Sequence, residues 1–172
     1  NKISLLVLVN PAHPFEKYWK LKELEEILKY AKQKKTFVIV DEVYQGIGTT
    51  SCIKLTKKFK NLIVIKSASK TFGYPGLRLG YAIGNKAVIK EIESYRLSHE
   101  LPTNTIEQGI NLFKNYKTKI IPRIKKIIEA REYAINEFKK RNKIINGKYG
   151  NSLSIFFKSK KTLLKLGNYL KK

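Results

Sequence analysis

Three short, uninterrupted apolar runs, each closed by a polar residue, constrain this chain more than any other feature. Ser4–Val9 (SLLVLV) ends at Asn10, Phe37–Val40 (FVIV) ends at Asp41, and Leu62–Ile65 (LIVI) ends near Ser67. Runs of this length without apolar–polar alternation are strands covered on both faces, the pattern of a parallel sheet. Between the first two, Leu21, Leu24, Leu28 and Ala31 recur at helical spacing within a helix expected over Leu21–Lys35. A fourth strand is expected at Leu77–Ile83 (LRLGYAI). Strand, helix, strand and further strands with long connections predict an α/β fold, a mostly parallel sheet with helices on both faces.

The later part of the chain changes character. Lys86–Leu97, Thr103–Lys114 and Ile120–Arg141 read as helices, with Pro122 placed where a first helical turn tolerates it. Ser152–Phe157 reads as a strand and Thr162–Leu170 as a last helix. The transition near Tyr116–Pro122 divides the chain into 1–118, part of a larger α/β domain, and 119–172, the start of a smaller α+β domain. No internal repeat or low-complexity stretch is visible.

The 172 residues carry a net charge of +23, which raises nucleic acid as a partner. Lysines account for 31 of the basic residues and arginines for five, and the lysines scatter over every expected helix. Arginine is the preferred side chain for bidentate phosphate and base contacts. The charge therefore reads as solvated helix faces, with a basic nucleic-acid-binding module as the non-enzymatic alternative. No apolar run approaches the ~20 residues of a spanning helix, so no membrane partner is expected. The single cysteine, Cys52, makes no internal disulfide, and a cytoplasmic location is expected. The chain starts at Asn1 and has no methionine, which suggests a piece of a longer protein.

Chemistry concentrates in Lys66–Gly80, KSASKTFGYPGLRLG. A lysine that follows a buried strand and enters a tight turn is held close to the sheet. Desolvation and positive neighbours there favour the neutral amine, which attacks carbonyls. Ser67 and Arg78 are a hydroxyl donor and a bidentate cation, the residue types that hold a phosphate. Lys70 beside them suggests a Schiff base to a phosphorylated aldehyde. Asp41 at a strand end needs a partner, such as a protonated pyridine nitrogen, or else caps a helix starting at Glu42. Tyr44 and Asn10 are placed to donate hydrogen bonds to a ring phenolate oxygen.

These residues carry a family resemblance. Asn10-Pro11-Ala12-His13-Pro14 resembles the NPxxP turn, Asp41-Glu42-Val43-Tyr44 the DExY segment, and Ser67-Ala68-Ser69-Lys70 with Gly76-Leu77-Arg78-Leu79-Gly80-Tyr81 the SxSK…GLRxGY signature of class I/II aminotransferases. These are fold type I pyridoxal-phosphate enzymes, and the likeness is to their histidinol-phosphate aminotransferase-like group. The resemblance implies pyridoxal 5'-phosphate as cofactor, with Lys70 as Schiff-base lysine and proton shuttle. It further implies Asp41 at the pyridine nitrogen, Asn10 and Tyr44 at the ring hydroxyl, and Ser67 and Arg78 at the phosphate. Ser69 is left without a role. An amino-acid or amino-phosphate donor, a keto-acid co-substrate and a homodimer follow from the same likeness. Family members extend further at both ends, so the chain is expected to hold the lysine without a complete pocket.

A decarboxylase of a phosphorylated amino acid on the same scaffold is the alternative, because all six cofactor residues would serve it equally. His13 and His99 stand too far apart to read as a metal pair, and no metal is expected. Cys52 reads as an inert thiol. Trp19 and Tyr18 read as packing residues, with a place bordering the substrate channel as the alternative, and an approach to substrate by Tyr95, Arg96 and His99 is the minor reading.

Overall fold

The computed structural model describes residues 2–14, 17–97, 100–140, 144–157 and 159–170. His99 lies outside them. Strands β1 (Leu5–Val9), β2 (Phe37–Asp41), β3 (Leu62–Ser67) and β4 (Gly80–Gly84) form one sheet in the order β1-β2-β3-β4. The first three run parallel, in a register that aligns Val9, Asp41 and Ile65, and β4 returns antiparallel to β3. All four expected strands exist, and the sheet is mostly parallel.

Helix α1 (Leu21–Gln33) connects β1 to β2. Its start is fixed by Glu23, whose carboxylate accepts the Lys20 N–H at 2.6 Å and sits favourably in the positive first turn. It ends before Lys35, whose backbone is left-handed at φ 54. The helix lays Leu24, Leu28 and Ala31 on the sheet against Val38, Val40, Leu62 and Val64. Leu55 of a short 3₁₀ turn (Ile53–Lys57), which the sequence pattern did not signal, joins that cluster with Cys52 and Phe59.

Strand alternation sends every second residue to the opposite face. Leu6, Leu8, Val38, Val40, Leu62 and Val64 therefore meet α1, while Leu5, Val7, Val9 and Phe37 turn away from it. That second face is partly lined by helix α2 (Lys86–Ser94), which forms a groove with Leu5, Phe37 and Ile63 through Ala87, Val88 and Ile92. Leu5, Val7, Val9 and Phe37 remain exposed.

A second apolar cluster sits beyond the carboxyl ends of the strands. Ile47, Ala68, Phe72 and Leu77 pack there with Leu112 of helix α3 (Thr103–Lys114), Ile120 of a π-helical turn (Tyr116–Ile120), and Ile124 of helix α4 (Ile121–Lys140). The expected chain division at 118 falls inside this π-turn. Strands β5 (Ile144–Asn146) and β6 (Ser154–Phe156) form an antiparallel pair, followed by helix α5 (Lys160–Leu170).

Two expectations shift. The fourth strand begins at Gly80 rather than Leu77, because Pro75–Leu77 winds into a 3₁₀ turn and Arg78 adopts a left-handed backbone at φ 50. Proline at the first position of that turn has its φ preset for it and has no N–H to give a ladder. Helix α2 stops at Ser94, short of Leu97. β5 was not foreseen, since a three-residue strand has no period to detect.

Leu28 is fully buried between α1 and the sheet. Leu28→Ala is expected to cost about 2–5 kcal/mol, the range for a large-to-small core substitution, read from urea unfolding followed by far-UV circular dichroism.

Candidate functional site

The carboxyl ends of β2 and β3 carry the chemistry-bearing residues, the edge where ligands of open α/β sheets bind. Asp41 and Glu42 follow one another off β2, and alternation points them to opposite faces. Asp41 sits on the face turned away from α1, half-buried, and its Oδ1 accepts the Val43 N–H at 3.0 Å. It caps a turn and not a helix, because residues 43–46 turn without becoming helical. That turn carries Tyr44.

Glu42 goes inward. Its side chain is completely buried, accepting from the Ser51 hydroxyl at 2.5 Å and the Cys52 N–H at 2.7 Å, with Lys66 Nζ at 3.2 Å. Lys66 is itself buried and donates to Gln45 Oε1 as well. The loop from Glu42 to Cys52 is thereby closed at its base on the last turn of β3. This pair was missed by sequence reasoning. The signal available was a lysine ending an otherwise apolar run, opposite a doubled acid ending the neighbouring run. Its proximity also marks Cys52: burial, reinforced by the Glu42 charge, pushes that thiol well above the ordinary range, in keeping with an inert cysteine. Tyr81, across the sheet on β4, is pushed up to about 12, chiefly by burial.

Lys70 stands in the turn that leaves β3. Ala68, Thr71 and Phe72 of this turn are buried. Ala68 N–H donates to Leu79 O at 2.9 Å, Tyr74 N–H to Ala68 O at 2.9 Å, and the Thr71 hydroxyl to Val43 O at 3.5 Å. Phe72 packs edge-on to Phe113 and Tyr116, and its carbonyl accepts from Arg123 at 3.2 Å. A turn anchored on both sides thus presents a single exposed amine, with Lys70 Nζ 5.6 Å from the Tyr44 ring centroid. The desolvation expected around Lys70 is not found here, because the turn lifts the side chain past the strand end into solvent.

Ser67 Oγ accepts the Ser69 N–H at 3.0 Å, which ties Ser69 to the turn. Arg78 is exposed and its guanidinium donates back to Pro75 O at 3.3 Å, so no ion pair joins it to Asp41. Asn10 is buried. Its Oδ1 accepts the Trp19 N–H at 2.8 Å and its Nδ2 donates to Trp19 O at 3.2 Å, leaving one amide N–H for another acceptor. Tyr18 hydrogen-bonds Thr50 through its hydroxyl and meets the Tyr149 ring, a packing role as expected. Trp19 is 41% exposed, so its backbone and not its ring is what the fold uses. Tyr95 and Arg96 are exposed beyond α2, where Arg96 pairs with Glu100. Among the described residues, no three His, Cys, Asp or Glu side chains group as metal ligands, and no helix is long and apolar enough to cross a membrane.

Comparison with known proteins identifies the family and the fold. The family described as aminotransferase class I and II matches residues 1–162. A histidinol-phosphate aminotransferase from Thermoanaerobacter pseudethanolicus is 32% identical over 138 residues, covering 80% of this chain and 38% of that protein. Among solved structures, histidinol-phosphate aminotransferase from Clostridium acetobutylicum superposes with a TM-score of 0.79 at 21% identity, over 95% of this chain and 52% of that one. The Sinorhizobium meliloti enzyme, solved in complex with pyridoxal-5'-phosphate, superposes with a TM-score of 0.77 at 17% identity, over 94% and 44%. The chain belongs to the class I and II aminotransferase family and shares its fold. It spans 38% of the length of its T. pseudethanolicus relative.

Removing one member of a buried ion pair leaves the other charge uncompensated. Lys66→Met is therefore expected to destabilise the chain by about 3–5 kcal/mol, and Glu42→Gln/Lys66→Met together by much less, in urea unfolding. The Cys52 thiol gives a second check. The folded chain holds that proton more tightly than the unfolded chain, whose thiol ionises near ~8.5. Stability contributed at this site is thus expected to fall as pH rises above about 8.5, and Cys52→Ala to flatten that part of the slope.

Proposed function

We propose that this chain is the lysine-bearing part of a pyridoxal-phosphate-dependent aminotransferase, acting on an amino-acid or amino-phosphate donor and a keto-acid acceptor. One observation carries the proposal: a single lysine amine on a doubly anchored turn, beside the tyrosine of the adjacent strand end, at the carboxyl edge of a parallel sheet. The family's relatives of at least 30% identity that support it are named histidinol-phosphate aminotransferases, which favours a phosphorylated amino donor.

The donor set suits the cofactor. Asp41 has one carboxylate oxygen committed to Val43 and a second available to a cationic ring nitrogen, on the face away from α1. Ser67 and Lys70 flank one turn, and Tyr44 approaches from the neighbouring one. When bound, the cofactor supplies an electron sink for the carbanion formed at the substrate α-carbon.

Within this reading Lys70 would hold the cofactor at its aldehyde group and would move the proton at the substrate α-carbon. Its freedom is limited to its own side chain, because Ala68 and Phe72 fix the backbone on either side. Asp41 would pair with the cofactor's ring nitrogen and would favour its protonated form. Tyr44 donates its phenol to the ring oxygen, and Asn10 has one amide N–H left for the same acceptor. The Ser67 hydroxyl and the Arg78 guanidinium complete a phosphate cradle once Arg78 swings from Pro75 O, a single exposed hydrogen bond worth about 1 kcal/mol.

The test is direct. Incubating the chain with pyridoxal 5'-phosphate, reducing with borohydride and mapping peptides should place the adduct on Lys70. Lys70→Ala should remove it, and labelling spread over the other lysines in proportion to exposure would refute the assignment. In an intact enzyme carrying this sequence, Lys70→Ala should abolish turnover, and release of keto acid rather than carbon dioxide separates transamination from decarboxylation.

A further inference from the structure

We propose that His13 is a positioning residue for Tyr44: it holds the phenol ring flat against its imidazole and links it to the loop between β5 and β6. The functional consequence rests on the aminotransferase reading above, whereas the geometry does not. His13 read in the sequence as a histidine without company. In the structure its ring lies 4.3 Å from the Tyr44 ring, centroid to centroid, with only 10° between the planes. Lys70 Nζ stands 5.6 Å from the centroid of the same phenol. One tyrosine therefore meets both the proposed Schiff-base lysine and this histidine.

The backbone that carries His13 is fixed from two directions. Asn10 grips the Trp19 backbone with both ends of its amide, and Ala12 N–H donates to Lys17 O at 2.8 Å. The imidazole is fixed in turn by the chain's later part, since Ser152 Oγ lies 3.3 Å from its Nδ1 and Ser154 Oγ donates to Pro14 O at 3.4 Å. The loop bearing Ser152, which leads into Ser154 at the start of β6, is itself pinned beside the Tyr44 turn. Gly150 N–H donates to Ile47 O at 3.1 Å, and Arg131 donates to Gly150 O at 2.8 Å.

A phenol at the end of two rotatable bonds sweeps its hydroxyl through several ångströms. Stacking against a fixed ring restricts that sweep to one plane, which is what a hydrogen bond to a bound ring oxygen requires. Among the described residues, His13 makes its ring contact with Tyr44 and its polar contact with Ser152, with no hydrogen bond to Lys70 or Asp41. It acts through Tyr44, and Ser152 acts through His13.

The experiment reads Tyr44 directly. In the full 172-residue chain, 3-fluorotyrosine is placed at position 44 by stop-codon suppression, and its ¹⁹F resonance is recorded without cofactor. The chain should give one resonance displaced from that of free 3-fluorotyrosine by the imidazole ring current. His13→Ala should collapse the displacement, His13→Phe should keep it, and Ser152→Ala should broaden or split the line. His13 is exposed, so circular dichroism should show all three variants folded. An unchanged resonance in His13→Ala would overturn the proposal. The second readout is the initial rate of borohydride-trapped pyridoxal 5'-phosphate at Lys70. It should drop about two- to tenfold in His13→Ala, the size expected for losing one aromatic pair, and recover in His13→Phe. An equal rate in His13→Ala and the unaltered chain would overturn the link to the site. If the unaltered chain forms no Lys70 adduct while the fluorine arms behave as stated, the cofactor reading fails and the positioning role of His13 stands.

Discussion

The buried ion pair between Glu42 and Lys66 is the interaction on which the site's architecture depends. A carboxylate taken out of water must recover its hydration from the protein, and Glu42 does so through one hydroxyl, one backbone N–H and one ammonium. Those three donors come from the far end of its own loop and from the adjacent strand. Satisfying the charge therefore closes the loop and fixes its position on β3. Asp41 and Ser67 are the immediate neighbours of this pair and project to the other face of the same two strands. The polar atoms beneath the sheet thus hold in place those above it.

A second layer of constraint is apolar. The turn that presents Lys70 is anchored by its own apolar residues Ala68 and Phe72, which sink into the cluster formed with Ile47, Leu112, Ile120 and Ile124. Helices α3 and α4 thereby support the turn that carries the amine, through Leu112 and Ile124. The amine is presented at the surface of this chain, and the parallel sheet keeps Leu5, Val7, Val9 and Phe37 exposed on the same side as Asp41. Parallel sheets are ordinarily covered on both faces. The chain spans 38% of the length of its T. pseudethanolicus relative.

Much of the framework is legible along the chain because its causes are local. The apolar runs at Leu5, Phe37 and Leu62 announce strands, and the spacing of Leu24, Leu28 and Ala31 announces the helix between the first two. The polar residues that end those runs mark the functional edge. Where local causes compete, the reading slips. Leu77 and Leu79 alternate as in a strand, yet Pro75 and the left-handed Arg78 take the first part of that segment into a 3₁₀ turn. Asp41 has the composition of a helix cap, yet the turn it caps carries Tyr44 toward Lys70. Lys66 looks like one more surface lysine until its partner, 24 positions earlier, is seen beside it.

By itself the sequence determined the order of the four sheet strands and of the helices around them, and which residue types stand at the sheet's carboxyl edge. These follow from periodicity and from the motifs, which act over a few residues. Only the tertiary structure decided that Glu42 and Lys66 neutralise one another, that Asn10 spends most of its amide on Trp19, that Lys70 emerges exposed, and that His13 lies flat on Tyr44. Each of those facts depends on which distant segments become neighbours, and the free energy of burying a charge or stacking a ring is set by that neighbourhood, not by the residue's own position in the chain.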